Sequence, residues 1–320
     1  MILSFFIGKS FSSAQKLGLS CENISNCKEI GLAIQYKSIE KLDWKNNLPQ
    51  DHKILVFYEV TESDPQTEIT LIKEIQQYNS RIQWVLLVDS KIDYFEIAAV
   101  YKIGNILKKD KFDTSVIRAL TIRLMTGQIF GFAPYFLKDY QVGPIEKVVK
   151  GTAVIKDLMS DFESNFLKYV DIKDNYRLRT YFYELLINTI TYSIVGISSE
   201  IRDTGEYSIP SHIQIPERKK FKIAMVMDDE KYGISVMDTS GTLSLERVLE
   251  KLRRQSRIGK EELPPGMWDL TGRGLSLILK DNRLIINIIK NEATEIIFLH
   301  YREEYFNKYE SVIITELLPH

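Results

Sequence analysis

The stretch that decides how the second half of the chain folds is YFYELLINTITY, residues 181–192. Apolar residues such as Phe182 and Leu185 recur in it at helical spacing, which predicts a helix with one buried side. Glu184 and Asn188 stand four positions apart, so that helix carries both polar groups on one face. A carboxylate and a carboxamide that meet beside a core need polar partners, and a hydrated Mg²⁺ is one such partner. A helix with two ordinary polar residues is the alternative interpretation.

Composition limits the classes of protein that the chain can belong to. Its 320 residues are enough for roughly two domains, and 27% charged with 44% apolar residues is ordinary for a globular protein. A formal net charge of −1 gives no support for nucleic-acid or membrane partners. Cys21 and Cys27 form neither a disulfide framework nor a zinc site, so we expect a reducing, cytoplasmic setting.

Residues 1–125 alternate short apolar runs with helical stretches such as Glu68–Tyr78. This alternation predicts parallel strands joined by crossover helices, as in a flavodoxin-like doubly wound sheet. The predicted strands are Ile2–Ile7, Gly31–Tyr36, Ile54–Tyr58, Trp84–Val88 and Asn105–Leu107.

The layout of these elements resembles a response-regulator receiver domain, but the residues that carry receiver chemistry are missing. After the first strand the chain has Gly8–Ser10 instead of an acidic pair, and Glu59 takes the position of the phosphoacceptor Asp. Lys108 or Lys109 could supply the receiver's Lys. We therefore predict a pseudo-receiver. In it Glu59 either imitates a phosphoaspartate paired with Lys108 or is simply solvated.

Residues 126–175 are predicted to form a packed connector. Glycines and prolines punctuate the segment, but its many aromatic residues argue against a floppy linker. The stretch Ile155–Val170 is predicted to be one amphipathic helix, and Asp174 or Asn175 is expected to cap the helix that follows.

Two apolar strands, Phe221–Met227 and Tyr232–Met237, lead into the turn Asp238-Thr239-Ser240-Gly241. An Asp at the end of a buried strand can accept a hydrogen bond from the exocyclic amine of adenine, and a glycine in the turn lets the base approach closely. A plain polar turn at a strand end is the alternative interpretation.

A basic segment and a glycine pair follow. Residues 242–270 begin with a helical pattern rich in Arg and Lys, which indicates either a mobile lid over a polyphosphate or a solvated helix face. Gly272 and Gly274 then open an apolar helix, whose free N–H groups and dipole favour phosphate. Two last strands are predicted at Leu284–Lys290 and Thr294–Tyr301.

The order of these boxes over residues 150–301 resembles the GHKL ATPase superfamily, which includes gyrase, the histidine kinases and the anti-sigma serine kinases. The resemblance implies an α/β sandwich of helices on a mixed sheet at 176–301, followed by a tail at 302–320. It also implies ATP and Mg²⁺ as cofactors. The short Gly-Arg-Gly-Leu box is most similar to the anti-sigma kinases, and the whole layout is similar to two-part bacterial proteins that place a degenerate receiver first.

The resemblance carries roles over residue by residue. Glu184 matches the carboxylate that orients or deprotonates the attacking group, and Asn188 matches the Mg²⁺ ligand. Asp238 matches the residue that reads adenine. The remaining nucleotide-binding positions are the turn glycine Gly241, the phosphate-side residues Gly272, Arg273, Gly274 and Leu275, and Thr294 beside the adenine. Ser240, Thr242 and Tyr192 depart from the family pattern, since the first two replace glycines and the third replaces a histidine.

We therefore expect an ATP-dependent signalling protein, namely a serine/threonine kinase of anti-sigma type. Its partner would be a protein, either a sigma factor or an anti-sigma antagonist, and the resemblance admits a homodimer. Intact Glu184 and Asn188 favour this enzyme. Ser240 and Thr242 favour a regulator that binds nucleotide without transferring phosphate, and a scaffold with two inactive sites is a third hypothesis.

Overall fold

The computed structural model is an α/β structure, as the alternation of apolar runs predicts. It describes residues 2–7, 34–36, 43–47, 53–60, 65–89, 94–109, 114–136, 139–196, 210–257, 273–302 and 311–317. The chain divides into two compact units, the first made of residues 1–129 with 133–137 and the second of 130–132 with 138–320. The division falls inside the segment predicted as a connector. No helix in the described ranges is both long and apolar enough to cross a membrane.

The first unit is built on a parallel sheet. Its described strands are β1 (Ile2–Ile7), β2 (Ile34–Tyr36), β3 (Lys53–Glu59), β4 (Ile82–Val88) and β5 (Asn105–Lys108). They lie in the order β2-β1-β3-β4-β5, and every neighbouring pair is parallel. The central strands β3 and β4 are almost wholly buried, as expected for parallel strands covered on both faces. The helices between them are α1 (Trp44–Asn47), α2 (Pro65–Tyr78), α3 (Tyr94–Tyr101) and α4 (Thr114–Thr126).

Glu59, at the end of β3, forms an ion pair inside this unit. The side chain is only 5% exposed, and its Oε1 lies 2.6 Å from the Nζ of Lys109. The prediction that Lys108 would be the partner is wrong by one residue. Lys108 is still part of β5, and successive residues of a strand point to opposite faces, so the next residue is the one that reaches Glu59. The alternative of a solvated Glu59 is wrong too.

The second unit contains a mixed sheet and a small two-stranded sheet. The strands of the mixed sheet are β6 (Val142–Val149), β9 (Phe221–Met227), β10 (Lys231–Asp238), β11 (Arg283–Ile289), β12 (Ala293–Tyr301) and β13 (Ser311–Leu317). Their order is β13-β11-β12-β10-β9-β6, in which only β11 and β13 are parallel. The small sheet pairs β7 (Thr152–Val154) with β8 (His212–Gln214). Thus β12 is not the last strand, because the apolar run of the tail adds β13 to the sheet.

The described residues of this unit include four α-helices: α5 (Ile155–Asn165), α6 (Ile172–Asn188), α7 (Leu245–Arg257) and α8 (Arg273–Asp281). The single helix predicted at 155–170 is wrong, because α5 ends at Asn165 and a 3₁₀ turn covers Leu167–Tyr169. This tighter turn buries Leu167 and Val170, which lie three positions apart and match the 3₁₀ repeat.

The start of α6 also differs from its predicted cap. Helix α6 begins at Ile172, so the N-cap is Asp171 rather than Asp174 or Asn175. The Asp171 side chain accepts a hydrogen bond of 3.1 Å from the Tyr232 hydroxyl, and burial raises the pKa of Tyr232 to about 12, which keeps that donor protonated. Asp174 instead lies in the first turn as a buried residue, 3.4 Å from the Nε2 of His300. Helix α6 therefore begins at Ile172 without a side-chain hydrogen bond from its N-cap residue.

The Glu295 side chain, on strand β12, binds the segment that follows α4. It lies on the face of the mixed sheet opposite to that of its neighbour Thr294. Its carboxylate is 4% exposed and accepts three hydrogen bonds: from Ser235 Oγ at 2.9 Å, Asn287 Nδ2 at 3.0 Å and the backbone N–H of Gly131 at 2.9 Å. A buried carboxylate in an apolar strand is tolerated because its acceptor sites are filled. This network fixes residues 130–132 to the second unit.

Replacing Glu295 should therefore cost far more stability than replacing its neighbour in the β11–β12 turn. Glu295→Ala leaves three donors without this partner, two of them buried, and we expect the free energy of unfolding to fall by about 3 kcal/mol. Glu292→Ala, at an exposed position of the same hairpin, should change it by about 0.5 kcal/mol or less. Urea denaturation of both variants checks this prediction, and equal losses would contradict the network's role.

Candidate functional site

Glu184 and Asn188 meet at one point, against the first turn of α8. A Cβ atom placed on Gly274 would lie 2.6 Å from Oε2 of Glu184 and 2.8 Å from Nδ2 of Asn188. The i, i+4 spacing on α6 therefore brings both polar ends to the same side, as predicted. Because backbone and side chains approach this closely, only glycine fits at position 274 without displacing them.

Beyond Asn188 the helix changes its hydrogen-bond pattern. Residues Thr189–Val195 form a π-helix, and Gly196 ends it with a left-handed φ of 79°. In the i→i+5 pattern, Ser193 lies one turn beyond Asn188 on a face that an α-helix would not give it. The Lys219 Nζ donates to the carbonyl oxygens of Ser193 and Ile194, at 2.7 and 2.9 Å, and so satisfies orphan acceptors of this helix end.

The π-helix delivers Ser193 to the carboxylate of Asp238, the last residue of β10. Asp238 is 4% exposed, and its Oδ2 accepts a 2.8 Å hydrogen bond from Ser193 Oγ. Its Oδ1 accepts from the backbone N–H of Ser240 at 2.8 Å and from the Ser240 hydroxyl. An ionised carboxylate offers about four acceptor positions, so three are filled and about one remains, on Oδ2.

Thr294 lies directly across the sheet from Asp238 and carries an unsatisfied hydroxyl. The two residues are paired in the antiparallel register of β10 and β12, so their side chains share a face. The Oγ1 of Thr294 is buried, and no hydrogen-bond partner for it lies among the described residues. A buried hydroxyl without a partner costs stability, and a polar ligand or a water at this face would satisfy it.

Gly241 has a structural position in the turn after Asp238. Its φ is +54°, and a Cβ there would lie 2.6 Å from the backbone N of Glu292 and close to the carbonyl oxygen of Ile289. Its own carbonyl oxygen accepts a 3.1 Å hydrogen bond from the Asn291 N–H. The glycine therefore lets the turn pack on the β11–β12 hairpin, which carries Thr294.

These segments surround one small pocket of about 30 Å³, which is room for one or two water molecules. A purine ring needs more space, so side chains of the lining must move before one can enter. The lining residues are Asn188, Thr189, Tyr192, Ser193, Asp238, Leu243, Val248, Lys251, Leu275 and Ile296.

Lys251 is the cation of this pocket. It lies on α7 and is 7% exposed, and its Nζ is 4.5 Å from the centroid of the Tyr192 ring, a cation–π contact. The sequence includes Lys251 among many basic residues of the segment 242–270. Lys251 follows the buried Val248 by three positions, so both lie on the same face of α7. This position distinguishes Lys251 from the basic residues on the solvated face.

Only part of the predicted site therefore lies among the described residues. Gly272 and residues 258–270 of the predicted lid lie outside the described residues, and Arg273 is the first residue of α8. Tyr192 and Ser193 are lining residues to which the sequence assigned no role in the site, whereas Lys251 was included only as one basic residue of the predicted lid. In the described part of the chain, no three His, Cys, Asp or Glu residues cluster as they would around a metal ion. A cation held here would depend on the Asn188 carboxamide and on oxygens of a ligand.

Comparisons with known proteins assign no family. No protein-family model matches the chain, and a search of curated proteins finds no match. One similar solved structure is a fungal multi-domain GH3 β-N-acetylglucosaminidase that contains a GCN5-related glucosamine N-acetyltransferase region. The identity is 9% and the TM-score 0.27, over 73% of this chain and 24% of that one. The chain thus spans about a quarter of that protein, at a similarity too low to support an argument about fold or function.

Gly274→Ala tests the contact between α8 and α6 by the sign of its effect. At an open helix position, Gly→Ala stabilises by about 1 kcal/mol. Here the new methyl group must displace the side-chain ends of Glu184 and Asn188, so we expect this gain to be lost. In a Glu184→Ala background the clash with Oε2 is gone, and part of the gain should return. Chemical denaturation of the four proteins of this cycle measures the coupling, and additive effects would show that the residues do not touch.

Proposed function

We propose that residues 176–301 form a GHKL-type domain that binds Mg·ATP and acts as an anti-sigma-type serine/threonine kinase on a sigma factor or its protein antagonist. One observation carries this proposal. Asn188 of α6, Asp238 at the end of β10 and Leu275 of α8 come from three separate sequence boxes and line a single pocket. The mixed sheet with helices α6 and α8 is the architecture that the resemblance implies.

Adenine recognition is supported by two polar groups on one face of the mixed sheet, each of which has room for a further hydrogen bond. The remaining acceptor position of Asp238 suits the 6-amino group of adenine, and the Thr294 hydroxyl, buried without a partner in the described structure, can bond to a ring nitrogen directly or through water. The apolar lining of Leu243, Val248 and Ile296 suits the faces of a purine ring.

Phosphate chemistry is supported at the other side of Asn188. The first turn of α8 offers backbone N–H groups and the positive end of a helix dipole, which favour phosphate oxygens. Asn188 would ligate the Mg²⁺ that accompanies ATP. Glu184 makes no hydrogen bond or ion pair with the described residues, so its carboxylate remains available to orient a serine or threonine hydroxyl and accept its proton. Catalysis of this kind depends mostly on positioning and electrostatics.

For the first unit we propose a pseudo-receiver. The parallel order β2-β1-β3-β4-β5 is the flavodoxin-like order, which supports this assignment. The phosphoacceptor position holds Glu59, already paired with Lys109 at 2.6 Å. Because position 59 is Glu rather than an acceptor Asp, and because this Glu is held in an ion pair, the unit would stay in one state and not respond to a phosphodonor.

A second candidate function is a nucleotide-gated binding module that transfers no phosphate. Ser240 stands where the family has glycine, and it bonds Asp238 through both its N–H and its hydroxyl. The pocket of about 30 Å³ must also open before it can admit a base. Both features favour conditional binding over rapid turnover, and in this case the order of the lid would report nucleotide to a partner.

Asp238→Asn should discriminate between nucleotides. The variant replaces an acceptor with a group that is half donor, so ATP should bind about 1.5–3 kcal/mol more weakly, the range for a hydrogen bond to a charged group. GTP lacks the 6-amino donor and should be affected much less. Calorimetric titration with both nucleotides checks this prediction, with Asp229→Asn, at an exposed position of the β9–β10 turn, as the control. Equal weakening for ATP and GTP would make Asp238 a purely structural residue.

Glu184→Ala separates the kinase from the binding module. A group that acts mainly in the transition state lowers kcat with little change in ground-state binding. We therefore expect near-normal Mg·ATP binding and phosphate transfer slowed by about 10²–10⁴-fold, the usual contribution of a positioned base. Glu184→Gln, which keeps the shape, should be equally slow. Radiolabel transfer to candidate protein partners measures the rate, and a wild-type protein that binds Mg·ATP but labels no partner would favour the binding module.

The pseudo-receiver proposal predicts an inert first unit. Incubation with acetyl phosphate and Mg²⁺ should add no phosphoryl group to residues 1–125, as read by intact mass and peptide mapping. A working receiver domain treated in parallel is the positive control. An adduct mapped to Asp64 or Asp89 would contradict the proposal.

A further inference from the structure

Helix α6 has a second face, which points away from its own core and is unusually apolar. Ile172 is 91% exposed, Tyr176 78% and Tyr183 43%, and Tyr169 just before the helix is 46% exposed. Seven large apolar side chains are strongly exposed in the described structure, and these four are among them. Such a concentration on one face marks an interaction surface rather than scattered surface residues.

The spacing on this face is that of a helix-packing seam. Ile172, Tyr176, Arg179 and Tyr183 follow one another at intervals of 4, 3 and 4 residues. Intervals of three and four alternate in the same way between the a and d positions of a heptad, which face the partner helix when two helices pack along each other. We call these four residues the α6 seam.

The α6 seam borders a groove that can receive a helix. The groove runs between α5 and α6 and has a volume of about 630 Å³. Its α5 side is lined by Ile155, Lys156, Met159, Ser160 and Glu163, and its α6 side by Tyr176, Arg179, Thr180 and Tyr183.

We propose that a second copy of this chain covers this face, with the two α6 helices antiparallel around a twofold axis that passes between residues 177 and 178. In that register Ile172 opposes Tyr183 of the second copy, and Tyr176 opposes Arg179 of the second copy. Apolar groups then meet aromatic rings, and each guanidinium meets a ring face as a cation–π pair. The α6 seam is therefore self-complementary, as a twofold interface requires.

The charges of the two helices support this arrangement. Helix α5 has one Lys and three acidic residues, a formal charge of −2, whereas α6 has three basic and two acidic residues, a formal charge of +1. The two antiparallel pairs would form a four-helix arrangement in which α6 lies in the α5–α6 groove of the second copy. The basic helix of each copy then contacts the acidic helix of the other. Within each copy Glu163 already pairs with Arg179 at 2.6 Å and Asp161 with Lys147, so complementary charges add only a weak preference for this orientation.

The exposed area predicts a weak dimer. The exposed area on this face is on the order of 500 Å² per copy, from the exposed fractions and the usual area of such side chains. The residues counted are Tyr169, Ile172, Tyr176 and Tyr183. Two copies would bury on the order of 1,000 Å², the lower limit for a specific interface. A reversible dimer with a dissociation constant in the micromolar range is the expected outcome. The proposal is independent of nucleotide binding.

Sedimentation velocity of the full chain from about 1 µM to about 100 µM tests this dimer. Wild type should move from monomer to dimer across the range, and Tyr176→Glu should raise the dissociation constant by about 30-fold or more, because it places a charge at the centre of the interface. Val148→Glu, at a 56% exposed position of β6, is the matched control and should dimerise like wild type. Circular dichroism and thermal melting confirm that each variant is folded.

A crosslink tests the register. In a chain with Cys21→Ser and Cys27→Ser, Tyr176→Cys and Arg179→Cys are made as separate proteins. Mixed under mild oxidation, they should form a disulfide-linked heterodimer far faster than either protein links to itself. A wild type that stays monomeric at the highest concentration would overturn the proposal and leave the α6 seam to a different protein. A dimer that persists in Tyr176→Glu, or equal crosslinking in all mixtures, would also overturn it.

Discussion

The buried carboxylate of Asp238 is the constraint on which the site in the second unit depends. A charge that is 4% exposed persists only if hydrogen bonds fill its acceptor positions, and here they come from two directions. Ser193 reaches it from the end of α6 and Ser240 from the turn after β10. Meeting both demands requires the π-helix beyond Asn188 and the tight turn at Gly241. The same carboxylate thus joins the end of α6 to the turn after β10, and Gly241 of that turn packs on the hairpin that carries Thr294.

The glycines and serines around this carboxylate determine how closely the segments around the pocket pack together. Gly274 allows α8 to press against Glu184 and Asn188, so the polar pair and the helix end form one surface. Ser240 does the opposite of a glycine, because its hydroxyl fills an acceptor position and tightens the turn. Lys251, held over the Tyr192 ring, adds a cation to the pocket lining, and under the proposed function this cation would attract a polyphosphate. The arrangement suits a site that opens for its ligand rather than one held open.

The features that were predictable from sequence are those set by periodicity, and the features that were not are set by local backbone geometry. The alternation of apolar runs indicates the α/β class, and the spacing of Glu184 and Asn188 is enough to place both on one face. Ser193 could not be assigned to the site, since a switch from α to π hydrogen bonding leaves no mark in composition. The partner of Glu59 was missed by one residue for a similar reason, because the exact end of β5 decides which lysine faces it.

The central claim is that the pocket around Asn188 and Asp238 receives Mg·ATP, and calorimetric titration of the wild-type chain tests it most directly. We expect one saturable site for ATP whose affinity rises when Mg²⁺ is present, because Asn188 and the phosphates would share the cation. Adenosine, which has no phosphates to contact α8, should bind more weakly. An absence of binding heat for ATP at every Mg²⁺ concentration, together with an unchanged melting temperature, would contradict the account.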